Sequence, residues 1–318
     1  MTPPALAVVI PTYRRPDSIR SLLEHLAGQT LPADRFEVVV VDDCSPEDPV
    51  AELEKLAGEL PYRLRLLRTP SQGGPAAARN LGWGATTAPY LAFTDDDCTP
   101  EPGWLEAGLA ALTADAAVGV AQGRTRAPDG VSIDGLTDWY VWRVVERSEP
   151  EFMACNIFYR RDAFEESGGF DEEIAWWGED TAAAWRVLHL GWQSAFVPDA
   201  VVVHPVERRG WAYFVRQGLC ERNMVRLGVA HPGYRREKFW RPWAYRREDA
   251  AFVVAVLAVV AALRFRPALV LALPYLWWRR PSVRHLSFFR LCLQVPVVDA
   301  ARVAGHLRGS WDNRALVV

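Results

Sequence analysis

Three consecutive carboxylates, Asp95, Asp96 and Asp97, follow the apolar stretch Tyr90 to Phe93 in the segment APYLAFTDDDCTPEP. Adjacent acids repel one another, so a folded chain holds them together most easily around a cation. Hard divalent ions such as Mg²⁺ or Mn²⁺ take oxygen ligands and keep positions open for water or phosphate. At the carboxyl end of a strand, where α/β sheets place ligands, the triplet is suited to grip a metal–diphosphate. A solvated acidic turn is the plainer reading. Two acid pairs accompany it, Asp42-Asp43 after the apolar run Phe36 to Val41, and Glu179-Asp180 after Trp176-Trp177-Gly178. At a helix start the dipole lowers a carboxyl pKa, whereas partial desolvation beside tryptophan raises it. Such opposing influences suit a general base, and an ordinary helix N-cap is compatible with the same residues.

The elements that must position these acids alternate along residues 6–97. Leu6 to Ile10 reads as a strand ended by Pro11, and a helix capped by Asp17 or Ser18 buries Ile19, Leu22, Leu23 and Leu26. Phe36 to Val41 is a second strand, apolar nearly throughout as a doubly covered parallel strand should be. Val50 to Leu60 reads as a helix, Tyr62 to Leu67 as a strand, and Gly73-Gly74-Pro75 opens a third helix. Backbone amides at such a glycine turn approach anions, although the spacing is not that of a P-loop or a dinucleotide fingerprint. The alternation implies an α/β fold with a parallel sheet and right-handed crossovers, placing the loops after Ile10, Val41 and Phe93 along one rim.

VVIPTYRRPDSIRSLLEHL, VVVVDDCSPED, GGPAAARNLGWGAT, YLAFTDDDCTPEPGWL, GGFDEEIAWWGEDTAAAWRVLHLGW and VVHP occur in that order. The ordered set resembles the family 2 glycosyltransferases, over roughly residues 5–205. The resemblance implies a GT-A (Rossmann-like, nucleotide-diphospho-sugar transferase) fold and metal-dependent, inverting transfer of a sugar to a hydroxyl. By position, Asp95 and Asp97 match the metal-binding D-x-D motif, with Asp96 between them and two registers open. Pro11, Thr12, Tyr13 and Arg15 match the segment beside the nucleotide, as do Gly74 and Arg79 of the glycine turn and ARN motif. Asp43, ahead of Asp42, matches the acceptor of a uracil or thymine imide, which favours a UDP-sugar. For Thr12 and Asp43 plain turn chemistry is the alternative.

The resemblance makes Asp180 the base and Glu179 its orienting or donor-contacting neighbour. Trp177, beside Trp176, is either a sugar platform or core. Asn156 matches a donor-pocket position, and His204, closing a strand from Ala200, matches a place where a histidine in some GT-A enzymes is a third metal ligand or contacts the diphosphate, with a structural histidine as the plainer reading. A sugar nucleotidyltransferase would need a glycine-rich N-terminal phosphate loop, which Leu6 to Asp17 lacks. A membrane-bound scaffold with a degenerate transferase domain is the non-enzymatic alternative.

Charge divides the chain. Residues 1–204 carry a net −16 and residues 205–318 a net +13, within a total of −3. The division predicts a glycosyltransferase domain over residues 1–210 and a basic helical region over 211–318. Arg208 to Arg226 reads as basic and helical, and Arg235 to Arg247 mixes arginine with tryptophan and tyrosine, a composition suited to a membrane interface. Ala250 to Leu263 is uncharged, Arg264 to Pro267 breaks it, and Ala268 to Trp278 is apolar again. Both runs are short of a bilayer, so a helical hairpin lying in one leaflet is expected, followed by an amphipathic helix over Leu286 to Leu307. A soluble helical subdomain is the alternative, and the long apolar runs argue against nucleic acid.

Five scattered cysteines without metal-ligand spacing exclude a zinc site and a disulfide scaffold and suit a reducing compartment. Nothing at the N-terminus reads as a secretion signal. The expected location is the cytoplasmic face of a bacterial membrane, with a glycan or lipid-linked acceptor of the cell envelope.

Overall fold

The computed structural model describes residues 3–47, 50–133, 139–174, 176–283 and 293–317. The chain forms two compact units, one of residues 1–131 and 142–206, the other of residues 132–141 and 207–318.

The first unit begins with β1 (Leu6–Thr12), α1 (Pro16–Ala27), β2 (Phe36–Asp42), α2 (Val50–Ala57), β3 (Arg63–Arg68), α3 (Pro75–Gly84) and β4 (Tyr90–Phe93). It continues through β5 (Thr99–Pro100), α4 (Trp104–Ala114) and β6 (Val118–Arg126). After β7 (Tyr140–Val141), which belongs to the second unit, come β8 (Ile157–Arg160), α5 (Arg161–Glu166), α6 (Glu179–His189) and β9 (Gln193–Val203). The sheet order is β3-β2-β1-β4-β8-β6-β9-β5. Strands β3, β2, β1 and β4 are mutually parallel, as the alternating pattern predicts. Beyond them β8 inserts antiparallel between β4 and β6, a pairing that no local pattern announces.

Alternate side chains of β1 leave opposite faces of the sheet. Leu6, Val8 and Ile10 pack with Ile19, Leu22, Leu23 and Leu26 of α1, whereas Ala7 and Val9 join Phe93, Phe164, Phe170 and Val187. The result is an α/β/α sandwich, the GT-A fold. Helix α3 lies so close to the sheet that a Cβ at Gly82 would stand 2.4 Å from a Val9 methyl.

Three boundaries differ from expectation. Pro11 does not end β1. The Thr12 carbonyl accepts from the Asp43 N–H and so faces β2; Pro11, one residue earlier, faces the opposite side, where pairing with β4 has stopped at Val9, and its missing N–H breaks no ladder. Helix α1 has neither Asp17 nor Ser18 as cap; Pro16, pre-set for a helical start, opens it behind Arg15. The residues after the acid pair, Thr181 to Leu190, read as a helix, but α6 starts two residues earlier, at Glu179, which puts both acids in its first turn.

The second unit holds β10 (Glu207–Arg208), paired antiparallel with β7, and helices α7 (Trp211–Cys220), α8 (Arg222–Ala230) and α9 (Pro232–Lys238). The expected single helix over 208–226 is therefore two. Helices α10 (Arg247–Ala262), α11 (Leu273–Val283) and α12 (Val295–Asp312) follow, with a 3₁₀ stretch, Arg266–Ala272, before α11. Buried ion pairs bind these helices: Arg302 reaches Asp249 at 3.0 Å and Asp299 at 2.7 Å, and Arg246 reaches Glu221 at 3.0 Å. The hairpin is present as α10 folded against the 3₁₀ stretch and α11, with Phe252 on Tyr275. Cys292 and the start of the helix expected from Leu286 lie outside the described residues; α12 covers its later part.

Candidate active site

The loops after β1, β2 and β4 leave the same edge of the parallel sheet because their strands run in register, Thr12 beside Asp42 and Val9 beside Phe93. The acid triplet lies at that edge, and each member has a different environment. Asp96 is buried, accepts a 2.7 Å hydrogen bond from the Thr12 hydroxyl and pairs with Arg15 at 3.1 Å. Burial raises its pKa to about 6 against the pull of Arg15. Asp97 is half-buried and shares the Arg15 guanidinium. Its Oδ1 stands 3.9 Å from His204 Nε2 and 4.0 Å from Cys98 Sγ. Asp95 receives Arg79 at 2.7 Å; burial opposes its ionisation, but Arg79, His204 and Arg143 outweigh that and hold its pKa low.

Arg79 joins two parts of the site. From α3 its guanidinium reaches Asp95 with one nitrogen and Glu179, at 3.0 Å, with another. It is 4 % exposed, and Phe170 packs 5.4 Å from its guanidinium carbon. The acid triplet and the Glu179-Asp180 pair, 84 residues apart in sequence, are thus bridged by one buried cation.

Gly178 adopts φ 95°, the left-handed region, and turns the chain into α6. Asp180 accepts backbone N–H bonds from Ala154 at 3.0 Å and Thr181 at 2.7 Å. Burial raises the pKa of Glu179 to about 7, helped by Asp180, and raises that of Asp180 as well. Trp177 lies under the Arg143 guanidinium, 4.9 Å from its ring centre, while Trp176 is 51 % exposed with φ 85°.

Other sequence-selected residues hold the frame. Asp43 accepts from the Thr69 hydroxyl at 3.0 Å and from the Gly73 and Gly74 amides at 2.9 and 2.8 Å. The Gly74 amide expected to face an anion of the ligand is therefore engaged by Asp43. Pro11 is buried in β1, and Tyr13 is half-buried with the Arg14 guanidinium 5.3 Å from its ring. Asn156, expected in the donor pocket, has no exposed surface: its amide donates to the Arg124 and Ala200 carbonyls and its oxygen accepts from Trp104. That corrects the expectation, because a fully buried, fully bonded amide has nothing to offer a ligand. Arg143 was visible in sequence only as one member of the cluster Trp139 to Arg143; its charge reaches Asp95 and Asp180.

A GT-A fold carrying an acid triplet at the sheet edge and a carboxylate pair at a helix start defines the glycosyltransferase class. The chain matches the model of glycosyl transferase family 2 over residues 7–168 and belongs to that family. It is similar to Glycosyltransferase AglE of Haloferax volcanii, 29 % identical over 213 residues, which are 66 % of this chain and 69 % of AglE. It is 29 % identical to the pre-mycofactocin glycosyltransferase of Mycobacterium tuberculosis over 71 % of this chain, spanning about half, 48 %, of that relative. Among solved structures it resembles mannosyltransferase PcManGT from Pyrobaculum calidifontis, in complex with GDP-Man and Mn²⁺. There the TM-score is 0.69 at 22 % identity, covering 98 % of this chain and 88 % of the other, a likeness of fold.

Proposed function

We propose that this chain transfers a sugar, with inversion, from a nucleotide-diphosphate sugar to an acceptor hydroxyl. The observation that carries this reading is the Arg79 bridge between the acid triplet and the Glu179-Asp180 pair. It puts a candidate metal-holding loop and a candidate base on one support, as group transfer between two bound substrates requires. Asp180 is the more exposed acid of the pair and takes the acceptor proton; Glu179 is locked onto Arg79.

The donor set fits a divalent cation. His204 Nδ1 lies 2.8 Å from the Pro205 carbonyl, which only accepts, so Nδ1 carries a proton and Nε2 is the nitrogen that could ligate an ion, giving up any proton of its own as it does so. Nε2 and Asp97 Oδ1 are 3.9 Å apart, within the span of two ligands each about 2.1 Å from one ion. Asp95 is the further ligand of the D-x-D reading. Burial raises the Cys98 thiol pKa well above its usual range, which keeps it a poor ligand for a hard ion. A bound Mn²⁺ or Mg²⁺ would neutralise the charge of the leaving diphosphate. PcManGT, whose structure is a complex with GDP-Man and Mn²⁺, supports this choice of donor class and metal.

The direct test is donor hydrolysis by the full chain across UDP-, GDP- and TDP-sugars, with Mn²⁺ and with chelator. Metal-dependent release of one nucleotide is expected, lost in EDTA, and His204→Ala should weaken Mn²⁺ activation about 10- to 100-fold. Silence across the panel without nucleotide binding would overturn the reading.

The pH profile is a second test. A base must be ionised to accept a proton, and burial raises both carboxyls of the pair, so donor turnover rises with pH through an apparent value above the usual carboxylate range. For stability the sign is opposite: a raised Glu179 pKa stabilises the fold at low pH, and that contribution is lost as pH rises through about 7. A turnover profile flat from pH 5 to 8 contradicts the role of this pair.

We infer further that the second unit rests on a membrane surface, at the cytoplasmic face. Leu257, Val260, Leu263 and Phe265 are 59–84 % exposed, and Leu269, Leu276 and Trp277 are more than half exposed. Exposed apolar surface on this scale marks an interaction site, and Arg264, Arg266 and Trp278 border it. Among the described residues no helix is long and apolar enough to cross a membrane. The reading favours a lipid-linked acceptor. Flotation with phosphatidylglycerol vesicles is expected, and replacing Leu257, Val260 and Leu263 together by glutamine should abolish it. Flotation retained by that variant would contradict this surface assignment.

A further inference from the structure

Arg143 is the cation of the first unit whose placement the reading above leaves unused. Its guanidinium carbon lies 4.9 Å from the centre of the Trp177 ring, two residues before Glu179. One of its nitrogens donates to the Trp142 carbonyl at 3.1 Å. These two contacts fix a planar guanidinium without neutralising it. Among the described residues no carboxylate forms an ion pair with it within 4.0 Å, although its charge is felt at Asp95 and Asp180. The contrast with Arg15 and Arg79 is direct: each of those is paired with two acids. A half-buried arginine held flat beside an active site, with no ion-paired carboxylate among the described residues, is arranged for an anion that arrives with a ligand.

We infer that the Arg143 guanidinium binds a phosphate oxygen of a substrate, either in the donor diphosphate or in a phosphorylated acceptor. The inference rests on the transferase reading and adds a residue to it. The shared chemistry is charge-assisted hydrogen bonding of guanidinium to phosphate, for which arginine is better shaped than lysine. Arg143 touches phosphate and leaves proton transfer to Asp180. On the donor side it adds a positive charge where the leaving diphosphate gains negative charge. On the acceptor side it holds a phosphate whose own P–OH is the acceptor hydroxyl: that oxygen bonds to the anomeric carbon, its proton goes to Asp180, and the bond to the nucleoside diphosphate breaks.

The test uses the full chain and its Arg143→Ala and Arg143→Lys variants, in titrations with UDP, GDP, UMP and GMP in Mn²⁺. Donor turnover is then followed with a short-chain polyprenyl phosphate and with the matching polyprenol. If the phosphate belongs to the donor, Arg143→Ala weakens the bound diphosphate about tenfold or more and leaves the monophosphate unchanged. Arg143→Lys then falls between. If it belongs to the acceptor, diphosphate affinity stays as in wild type, but stimulation of turnover by polyprenyl phosphate is lost in Arg143→Ala, with the alcohol inert throughout. Either result supports the inference and names the source.

Unchanged diphosphate affinity together with unchanged stimulation overturns it. Parallel weakening of diphosphate and monophosphate with a lowered melting temperature also overturns it, because that is the signature of a structural role. A wild-type chain that binds no nucleotide overturns the transferase reading and this inference together, whereas wild-type binding without a variant effect overturns the inference alone.

Discussion

Asp180→Asn lowers donor turnover ~100- to 10,000-fold, the usual range for a general base, while nucleotide affinity stays within about twofold. The asymmetry follows from placement. Asp180 sits in the first turn of α6 with its oxygens on the Ala154 and Thr181 amides, and its hydrogen bonds among the described residues go to those neighbours and not to the nucleotide-side residues. Asparagine keeps one accepting oxygen, so one of those two amides loses its partner, at a cost of about 1–3 kcal/mol in stability. Melting temperature must therefore be measured beside turnover, so that a folding loss is not read as a catalytic one. The comparison is made with Glu179→Gln. If Asp180 is the base, its variant loses more turnover than Glu179→Gln. Full turnover in Asp180→Asn would move the base to Glu179.

Arg79→Met produces the largest stability loss expected of a single substitution at this site, about 3–5 kcal/mol by urea unfolding. The physical cause is the group left behind. Glu179 is 7 % exposed, and its named side-chain partner is Arg79. Without that cation a buried carboxylate must either stay charged without compensation or take up a proton. Asp95 loses the partner that holds its pKa low, so donor binding in Mn²⁺ should weaken as well. A double variant, Arg79→Met with Glu179→Gln, removes the uncompensated charge and should recover part of the lost stability, which a simple packing defect would not do. A loss below about 1 kcal/mol for Arg79→Met, or no recovery in the double variant, would show that the bridge is not the support described here.

Much of this was legible in order of residues. Apolar runs of strand length announced β1, β2 and β4 and their common rim, the last two running into acids, because parallel strands covered on both faces must be apolar throughout. The first turn of α6 was misplaced by two residues, since Gly178, not a polar cap, makes the entry. The antiparallel β8 was invisible, because its pairing with β4 and β6 joins segments far apart in sequence.

Side-chain partners were the least legible part. Residue type marked Asp43, Asn156 and Gly74 as binding candidates, but type does not say whether a polar group will be satisfied by the chain itself. The fold spends Asp43 on the Gly73-Gly74 turn and Asn156 on Trp104, Arg124 and Ala200. The sequence alone determined the class of fold, the order of the motifs and the presence of acids at the ends of strands, because these follow from local periodicity and composition. Only the tertiary structure decided which acid meets which cation. Arg79 joins Asp95 to Glu179, and Asp97 comes to face His204, because the sheet folds distant loops onto one edge, and those distances are set by packing and not by spacing along the chain.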